Sequence, residues 1–360
     1  MNDELAQDLA ELEKSSYQLI LTADPDFVEA AAAELRSVDP RAEVVRGLAP
    51  GILLVNSTIG FGTLAATWQS APPIFVRHIC PIQTLVPWTG EAATLDALDY
   101  TLQTEILPAL DPSQTLSIQT RVPGAVAIKP FPINERLAAV AAAQGFQIDV
   151  RAPQQVISVV VADEANGPGM LFVGASATAH NLSDWAGGMR RFAREEGQVS
   201  RAEFKLLEAI EVFDLALPAR GTALDLGASP GGWTRVLRAL DQYVTAVDPG
   251  DLDPRLAADK GIRHKRMSAE SYLANEPDSF DIIVNDMRMD GRDSARLMVG
   301  YARCLYRHGW ALMTLKLPER KREVILDQAF ARLRRAYTIT GARHLFHNRS
   351  EIMLYLRPLP

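Results

Sequence analysis

Between residues 201 and 356 of this 360-residue chain, short apolar runs alternate with segments of helical periodicity. A helix over Arg201–Asp214 precedes a strand over Thr222–Leu226, and a helix over Gly232–Leu240 precedes a strand over Tyr243–Asp248. A strand over Asp281–Asp286, a helix over Ser294–Arg307, a strand over Trp310–Lys316 and a helix over Arg320–Tyr337 follow. Strands near Thr338–His344 and Glu351–Leu356 come last. Strands separated by helices cannot be joined by tight hairpins, so they align parallel with helices on both faces. The pattern predicts an open, doubly wound, Rossmann-like α/β sheet whose final pair forms an antiparallel hairpin on one edge.

The first 180 residues read instead as two smaller α+β modules. Strands are expected at Tyr17–Ala23, Ala42–Arg46, Gly51–Asn56 and Ile74–Leu85, with helices at Asp26–Arg36 and Phe61–Trp68. A second set has helices at Ala92–Leu110 and Ile133–Gln144. Its strands are Thr115–Arg121, Gln147–Arg151, Gln155–Ala162 and Met170–Ala175, the last entered through a turn at Gly167–Pro168–Gly169. Glu4–Lys14 has the spacing of a short amphipathic lead-in, and residues 176–200 lose periodicity. The expected domains are 1–85, 86–180, a linker over 181–199, and 200–360.

Composition narrows the class. Hydrophobic residues make up 48% and charged residues 22%, which excludes a disordered chain. No run reaches the ~18 apolar residues of a membrane span, and Met1–Lys14 is acidic without an apolar signal core. Two cysteines, Cys80 and Cys304, are too few for a disulfide framework and fit a reducing cytosol. The net charge of −7 hides an asymmetry: residues 1–180 hold 9 basic and 20 acidic side chains, net −11, and residues 181–360 hold 28 and 24, net +4. Residues 319–349 alone carry eight basic side chains against three acidic ones. A second basic group, Arg190, Arg191, Arg194 and Arg201, lies upstream.

The most informative string is Leu224-Asp225-Leu226-Gly227-Ala228-Ser229-Pro230-Gly231-Gly232-Trp233-Thr234. A strand ends at Asp225, a small-residue turn follows, and a helix begins. Glycines let the backbone approach a ligand, and a helix N-terminus favours polar or negative groups. In an open α/β sheet the ligand crevice lies at such carboxyl ends. Asp248 ends the next strand, 23 residues on, where a carboxylate suits a ribose diol. A dinucleotide oxidoreductase expects G-x-G-x-x-G here, which the string does not supply.

DLGASPGGWT closely resembles the cofactor loop of the FtsJ-like ribose 2′-O-methyltransferases, whose cofactor is S-adenosyl-L-methionine. That family carries a Lys-Asp-Lys-Glu tetrad on four separated elements. The resemblance places it at Lys205 in Ser200-Arg201-Ala202-Glu203-Phe204-Lys205-Leu206, and at Asp286 in Val284-Asn285-Asp286-Met287. Its other two members are Lys316 in Thr314-Leu315-Lys316-Leu317-Pro318 and Glu351 in Arg349-Ser350-Glu351-Ile352. It implies cofactor contacts from Asp225, Gly227, Ser229, Pro230, Gly231, Gly232, Trp233, Asp248 and Asp286. The family often has an acidic residue near the adenine; here Ser268 or Glu270 stands at that place.

Within the family the likeness is to the RlmM-type large-subunit rRNA enzymes. It includes Gly188-Met189-Arg190-Arg191 and Leu345-Phe346-His347-Asn348-Arg349-Ser350-Glu351. A looser likeness, at Phe75-Val76-Arg77-His78 and Ala152–Val159, is to a THUMP-type RNA-binding module behind a ferredoxin-like domain. The implied substrate is a cytidine ribose of large-subunit rRNA. Other RNAs such as tRNA, and a noncatalytic RNA-binding or assembly role, are the alternatives.

Methyl transfer from a sulfonium to a hydroxyl is an in-line displacement in which the hydroxyl loses its proton. A free lysine is mostly protonated at neutral pH, and a second ammonium with desolvation favours its neutral form. Lys316 is therefore the expected general base and Lys205 its like-charge neighbour, with Asp286 and Glu351 holding both. Cytosine C5 methylation would need a cysteine nucleophile, and Cys304 reads as a buried residue in mid-helix. Amino-group methylation usually shows an Asn/Asp-Pro-Pro-aromatic loop, which Asn285-Asp286-Met287-Arg288 does not match. No metal is expected; His344 and His347 lie three apart without other ligands nearby. Arg190, Arg191 and Arg201, with Arg320, Lys321 and Arg322, are the expected phosphate contacts beside the active site.

Overall fold

The computed structural model describes residues 17–123, 128–164, 167–275 and 277–360. The lead-in expected at Glu4–Lys14 lies outside them. The chain divides into two units, Met1–Met189 and Arg190–Pro360.

The N-terminal unit begins with β1 (Tyr17–Thr22), α1 (Val28–Val38), β2 (Glu43–Ala49), β3 (Ile52–Ser57), α2 (Phe61–Ser70) and β4 (His78–Pro81). These strands form an antiparallel sheet in the order β2-β3-β1-β4, the ferredoxin-like arrangement of a βαββαβ unit. The second set is β5 (Thr84–Pro87), α3 (Glu91–Thr101), β6 (Leu116–Arg121), α4 (Pro130–Ala143), β7 (Gln155–Glu164) and β8 (Gly167–Ala177), in the sheet order β5-β8-β7-β6.

Several expectations shift here. The strand expected over Ile74–Leu85 is two strands in two sheets: β4 pairs with β1, and β5 pairs with β8. The boundary expected at 85 therefore falls inside β5. Gly167–Gly169 belong to β8 and not to a turn. Gln147–Arg151 makes only an isolated bridge, Ile148 to Leu116. Within the unit the two sheets share an apolar cluster, with Ile20, Ile52 and Leu54 from one and Val160, Ala162 and Phe172 from the other.

The C-terminal unit carries α5 (Glu203–Val212), β9 (Thr222–Leu226), α6 (Gly232–Ala239), β10 (Tyr243–Val247), α7 (Pro254–Ala257), β11 (Ile262–Lys265) and α8 (Ala269–Ala274). It continues through β12 (Phe280–Asn285), α9 (Gly291–Tyr301), β13 (Leu305–Lys316), α10 (Arg322–Leu333), β14 (Tyr337–Arg343) and β15 (Glu351–Pro358). The seven strands run β11-β10-β9-β12-β13-β15-β14. The first five are mutually parallel, and β15 is antiparallel to both its neighbours, as the sequence pattern predicts.

Alternate side chains on a strand face opposite ways. Ala223, Ile282, Val284, Trp310 and Leu312 pack against Leu206 and Ala209 of α5 and Trp233, Val236 and Leu237 of α6. On the other face Gly291 of α9 lies so close that a Cβ there would fall 3.0 Å from Leu315 Cδ1 and 3.3 Å from Ile325 Cγ2 of α10. The sheet is thus wound on both faces. Its strand order reverses between β9 and β12, the switch point at which such sheets open a crevice.

Candidate active site

The loop after β9 forms the floor of that crevice. Asp225 is buried, and its Oδ2 accepts from Thr234 Oγ1 at 2.6 Å. Burial pushes its carboxyl up to about 7; the hydrogen bonds from Thr234 oppose this, and the charges of Asp286 and Asp248 add to it. Gly227 has φ +76°, and a Cβ there would meet Met287 Cγ at 2.5 Å, so the turn excludes side chains on two grounds. Asp248 follows β10 and ties the two loops together: Oδ1 accepts from Gly250 N at 2.7 Å and Oδ2 from Ser229 N at 3.2 Å. A carboxylate has about four acceptor positions, so it retains capacity for a ligand.

The four tetrad residues converge at the rim. The β13–β15 register sets Lys316 opposite Glu351. Asp286, one residue past β12, receives Lys316 Nζ on Oδ1 at 2.8 Å, Thr314 Oγ1 on Oδ1 at 2.8 Å and Lys205 Nζ on Oδ2 at 3.2 Å. Lys205 Nζ also lies 2.6 Å from Glu351 Oε1, a close ion pair without the alignment of a hydrogen bond, and Lys316 Nζ lies 3.9 Å from Glu351 Oε2. Burial raises the Asp286 carboxyl, but the two ammoniums and the Lys316 and Thr314 hydrogen bonds outweigh it and hold it below the usual carboxylate range. The two lysines share one carboxylate, so they stand side by side without colliding.

Loop and tetrad line one cleft of about 1080 Å³. Of the expected cofactor residues, Asp225, Gly227, Ser229, Pro230, Gly232, Trp233, Asp248 and Asp286 line it. Trp233 lines it although largely buried, with Nε1 donating to Ala202 O at 2.8 Å. Gly231 is not on the cleft wall: its φ is +110°, and a Cβ would strike Leu256 Cδ1. Ser268 is the exposed N-cap of α8, accepting from Ser271 N, and Glu270 lies in the first turn of the same helix; neither lines the cleft.

The basic residues divide. Arg201 lines the cleft. Arg190 is clamped by Glu211 through two hydrogen bonds of 2.6 and 2.8 Å, so it is a structural ion pair. Arg191, Arg320, Lys321 and Arg322 are not on the cleft wall; Lys321 precedes α10 with φ +61° and no capping hydrogen bond from its side chain, and Arg322 begins the helix. Arg349, from the basic run over 319–349 expected to contact phosphates, lines the cleft, and so do Arg288 and His347, which the sequence reading passed over as site residues. Arg288 lies two residues past a strand-end aspartate, which is the signal that could have found it.

Cys304 closes a 3-10 turn after α9 and is not in mid-helix; burial pushes its thiol up, and Cys80 is pushed up to about 11. His344 Nε2 pairs with Arg349 O at 2.8 Å, and His347 packs among aromatic rings. Among the described residues no group of three or more His, Cys, Asp or Glu is placed to hold a metal, and no helix is long and apolar enough to cross a membrane.

Residues 198–316 match the FtsJ-like methyltransferase family. Two proteins named ribosomal RNA large subunit methyltransferase M are each 36% identical to this chain. That of Halorhodospira halophila aligns over 176 residues, 48% of this chain and 51% of that protein. That of Alkalilimnicola ehrlichii aligns over 202 residues, 52% and 53%. The chain thus spans about half the length of the curated relatives it matches. Among solved structures, TrmN from Thermus thermophilus aligns with 95% of this chain and 100% of that chain, at 17% identity and a TM-score of 0.39. With its glycine-rich cleft loop and the match over 198–316, the C-terminal unit carries an FtsJ-like methyltransferase domain.

Proposed function

We propose that this chain methylates a ribose 2′-hydroxyl of RNA with S-adenosyl-L-methionine as donor, and that the substrate is a cytidine of large-subunit rRNA. The observation that carries the reading is the Lys205–Asp286–Lys316–Glu351 network on the rim of the cleft. The names of the relatives support the choice of RNA.

The donor set fits the cofactor. Asp225, Asp248 and Asp286 on one wall suit a cation and a diol, and they oppose a pyrophosphate. The volume exceeds the ~300–1000 Å³ of a typical small-molecule pocket, leaving room for part of a nucleotide as well. S-adenosyl-L-methionine supplies an electrophilic methyl group on a sulfonium. Asp248 would hold the ribose diol, and the backbone from Gly227 to Gly232 would line the remainder.

Lys316 would take the 2′-hydroxyl proton. Asp286 orients it, and Lys205 with Glu351 completes a fixed charge pattern that needs no rearrangement during reaction. Arg201, Arg288 and Arg349 on the cleft, with Arg191, Arg320, Lys321 and Arg322 elsewhere in the unit, would meet phosphates. The N-terminal unit would serve as a THUMP-like RNA-holding module despite its acidic balance, and cytoplasmic rRNA is the setting this reading requires.

The test is transfer of labelled methyl to undermodified large-subunit rRNA by wild type and Lys316→Ala. Wild type is expected to label rRNA at a ribose and the variant to lose at least about a hundredfold in rate. Equal transfer by both removes Lys316 as the base; transfer to tRNA alone removes the rRNA assignment; no transfer to any RNA leaves the noncatalytic alternative.

A further inference from the structure

Two motifs that the tetrad and the cofactor loop leave unexplained meet in space. Phe192, just after Gly188–Arg191, stacks on Phe204, the residue before Lys205, with ring centroids 5.6 Å apart and planes 12° from parallel. His347, from the second motif, tilts against both, at 5.6 Å from Phe192 and 5.1 Å from Phe204. Arg190 covers the Phe192 ring at 4.1 Å, and Phe346 meets His347 edge-on at 5.0 Å.

This cluster is not closed core. Phe192, Phe204 and His347 are each only half-buried, and His347 lines the same cleft as Lys205 and Glu351. It is also held rigidly. The buried Glu208 carboxylate on α5 accepts from Phe346 N at 2.8 Å and His347 N at 2.9 Å, and His344 Nε2 bonds Arg349 O at 2.8 Å. One helix therefore carries both a tetrad lysine and the anchor of the aromatic loop. Arg349, exposed on the cleft wall two residues from His347, sets a cation beside the rings.

A fixed, partly exposed aromatic surface with an adjacent guanidinium is how proteins hold an unpaired nucleobase and its phosphate. We infer that His347, backed by Phe204 and Phe192, is a stacking platform for a nucleobase of the substrate strand next to the ribose presented to Lys316, with Arg349 on the accompanying phosphate. This rests on the RNA-substrate reading above and adds a specificity-determining site to it. The base is presented out of its helix, so the platform favours a single-stranded or bulged target.

The test is filter binding of an in vitro transcript of large-subunit rRNA to the full chain at several salt concentrations. Loss of one base–aromatic stack is worth roughly five- to 150-fold in affinity. His347→Ala is expected to lose affinity in that range without changing the salt slope, because stacking releases no counterions. His347→Phe should bind within about twofold of wild type, since every aromatic ring has a π-face. Arg349→Ala should reduce the salt slope by about one counterion.

If His347→Ala melts early, His347→Leu keeps the apolar volume without a π-face and should show the same loss. Wild-type affinity in His347→Ala, or in His347→Leu where the alanine variant melts early, overturns the platform while leaving the methyltransferase reading intact. A His347→Phe variant as weak as the alanine variant overturns it too, because the imidazole and not stacking would then matter. If wild type binds no RNA, the substrate reading falls and this inference with it.

Discussion

Asp225 should make the C-terminal unit less stable as pH rises from acid toward neutral. The carboxyl is 2% exposed, and its folded pKa is pushed up to about 7 from 3.8. The folded state therefore holds a proton that the unfolded state has released between those two values. By linkage, stability falls across the window from about pH 4 to pH 7 and is level above it. Three pKa units correspond to an effect on the order of 4 kcal/mol. Asp225→Asn keeps an oxygen for Thr234 Oγ1 and cannot ionise. It should match wild type near pH 3, where Asp225 is protonated folded and unfolded alike, and be more stable by roughly 1.5 kcal/mol at pH 5 and roughly 4 kcal/mol at pH 8. Because two units unfold, the readout must be local: hydrogen exchange of peptides covering β9 and α6, with urea as perturbant. An Asn-minus-wild-type difference that is identical at pH 5 and pH 8 would falsify the assignment.

Three further outcomes follow from contacts described above. Glu208→Ala removes a buried acceptor from the Phe346 and His347 amides and should cost roughly 3–5 kcal/mol, with Glu208→Gln near half that; exchange rates over 344–350 report it. Thr314→Val removes one of the groups that lower the Asp286 carboxyl. A depressed carboxyl contributes stability above its unfolded pKa and loses it as pH falls through the folded value, so this variant should unfold at a higher pH in acid titration and lose about 1 kcal/mol at neutral pH. Gly227→Ala combines φ +76° with a Cβ 2.5 Å from Met287 Cγ. It should cost roughly 1–3 kcal/mol and weaken S-adenosylhomocysteine binding in calorimetry.

The C-terminal sheet was legible because its signals are local. Four of the five parallel strands are apolar runs, and Asp286 and Lys316 stand at or just beyond strand ends, where a carboxyl-end rule looks. The short strand β11, Ile-Arg-His-Lys, carries one apolar residue and has no such signature. In the N-terminal unit the run Ile74–Leu85 looked like one strand because hydropathy does not say which sheet a residue joins. Only pairing with β1 or β8 decides that. Charge was the least reliable guide. Arg190 and Arg201 are equivalent in a count of basic residues, yet one is clamped by Glu211 and the other faces the cleft. His347 was unreadable for a similar reason. Its place is set by Glu208, 139 residues earlier, through a bond to its own backbone.

The strand order β13-β15-β14 has a consequence for timing. β14 precedes β15 in the chain yet lies outside it, so β13 gains its second neighbour only when β15, alone or already paired with β14, docks against it. Until then β13 is an unpaired edge, and Lys205 and Lys316 lack Glu351. Docking seals the edge and delivers the carboxylate in one event. Methyl transfer should therefore be among the last properties a refolding molecule acquires, appearing with protection of the β15 amides and not with the earlier growth of secondary structure.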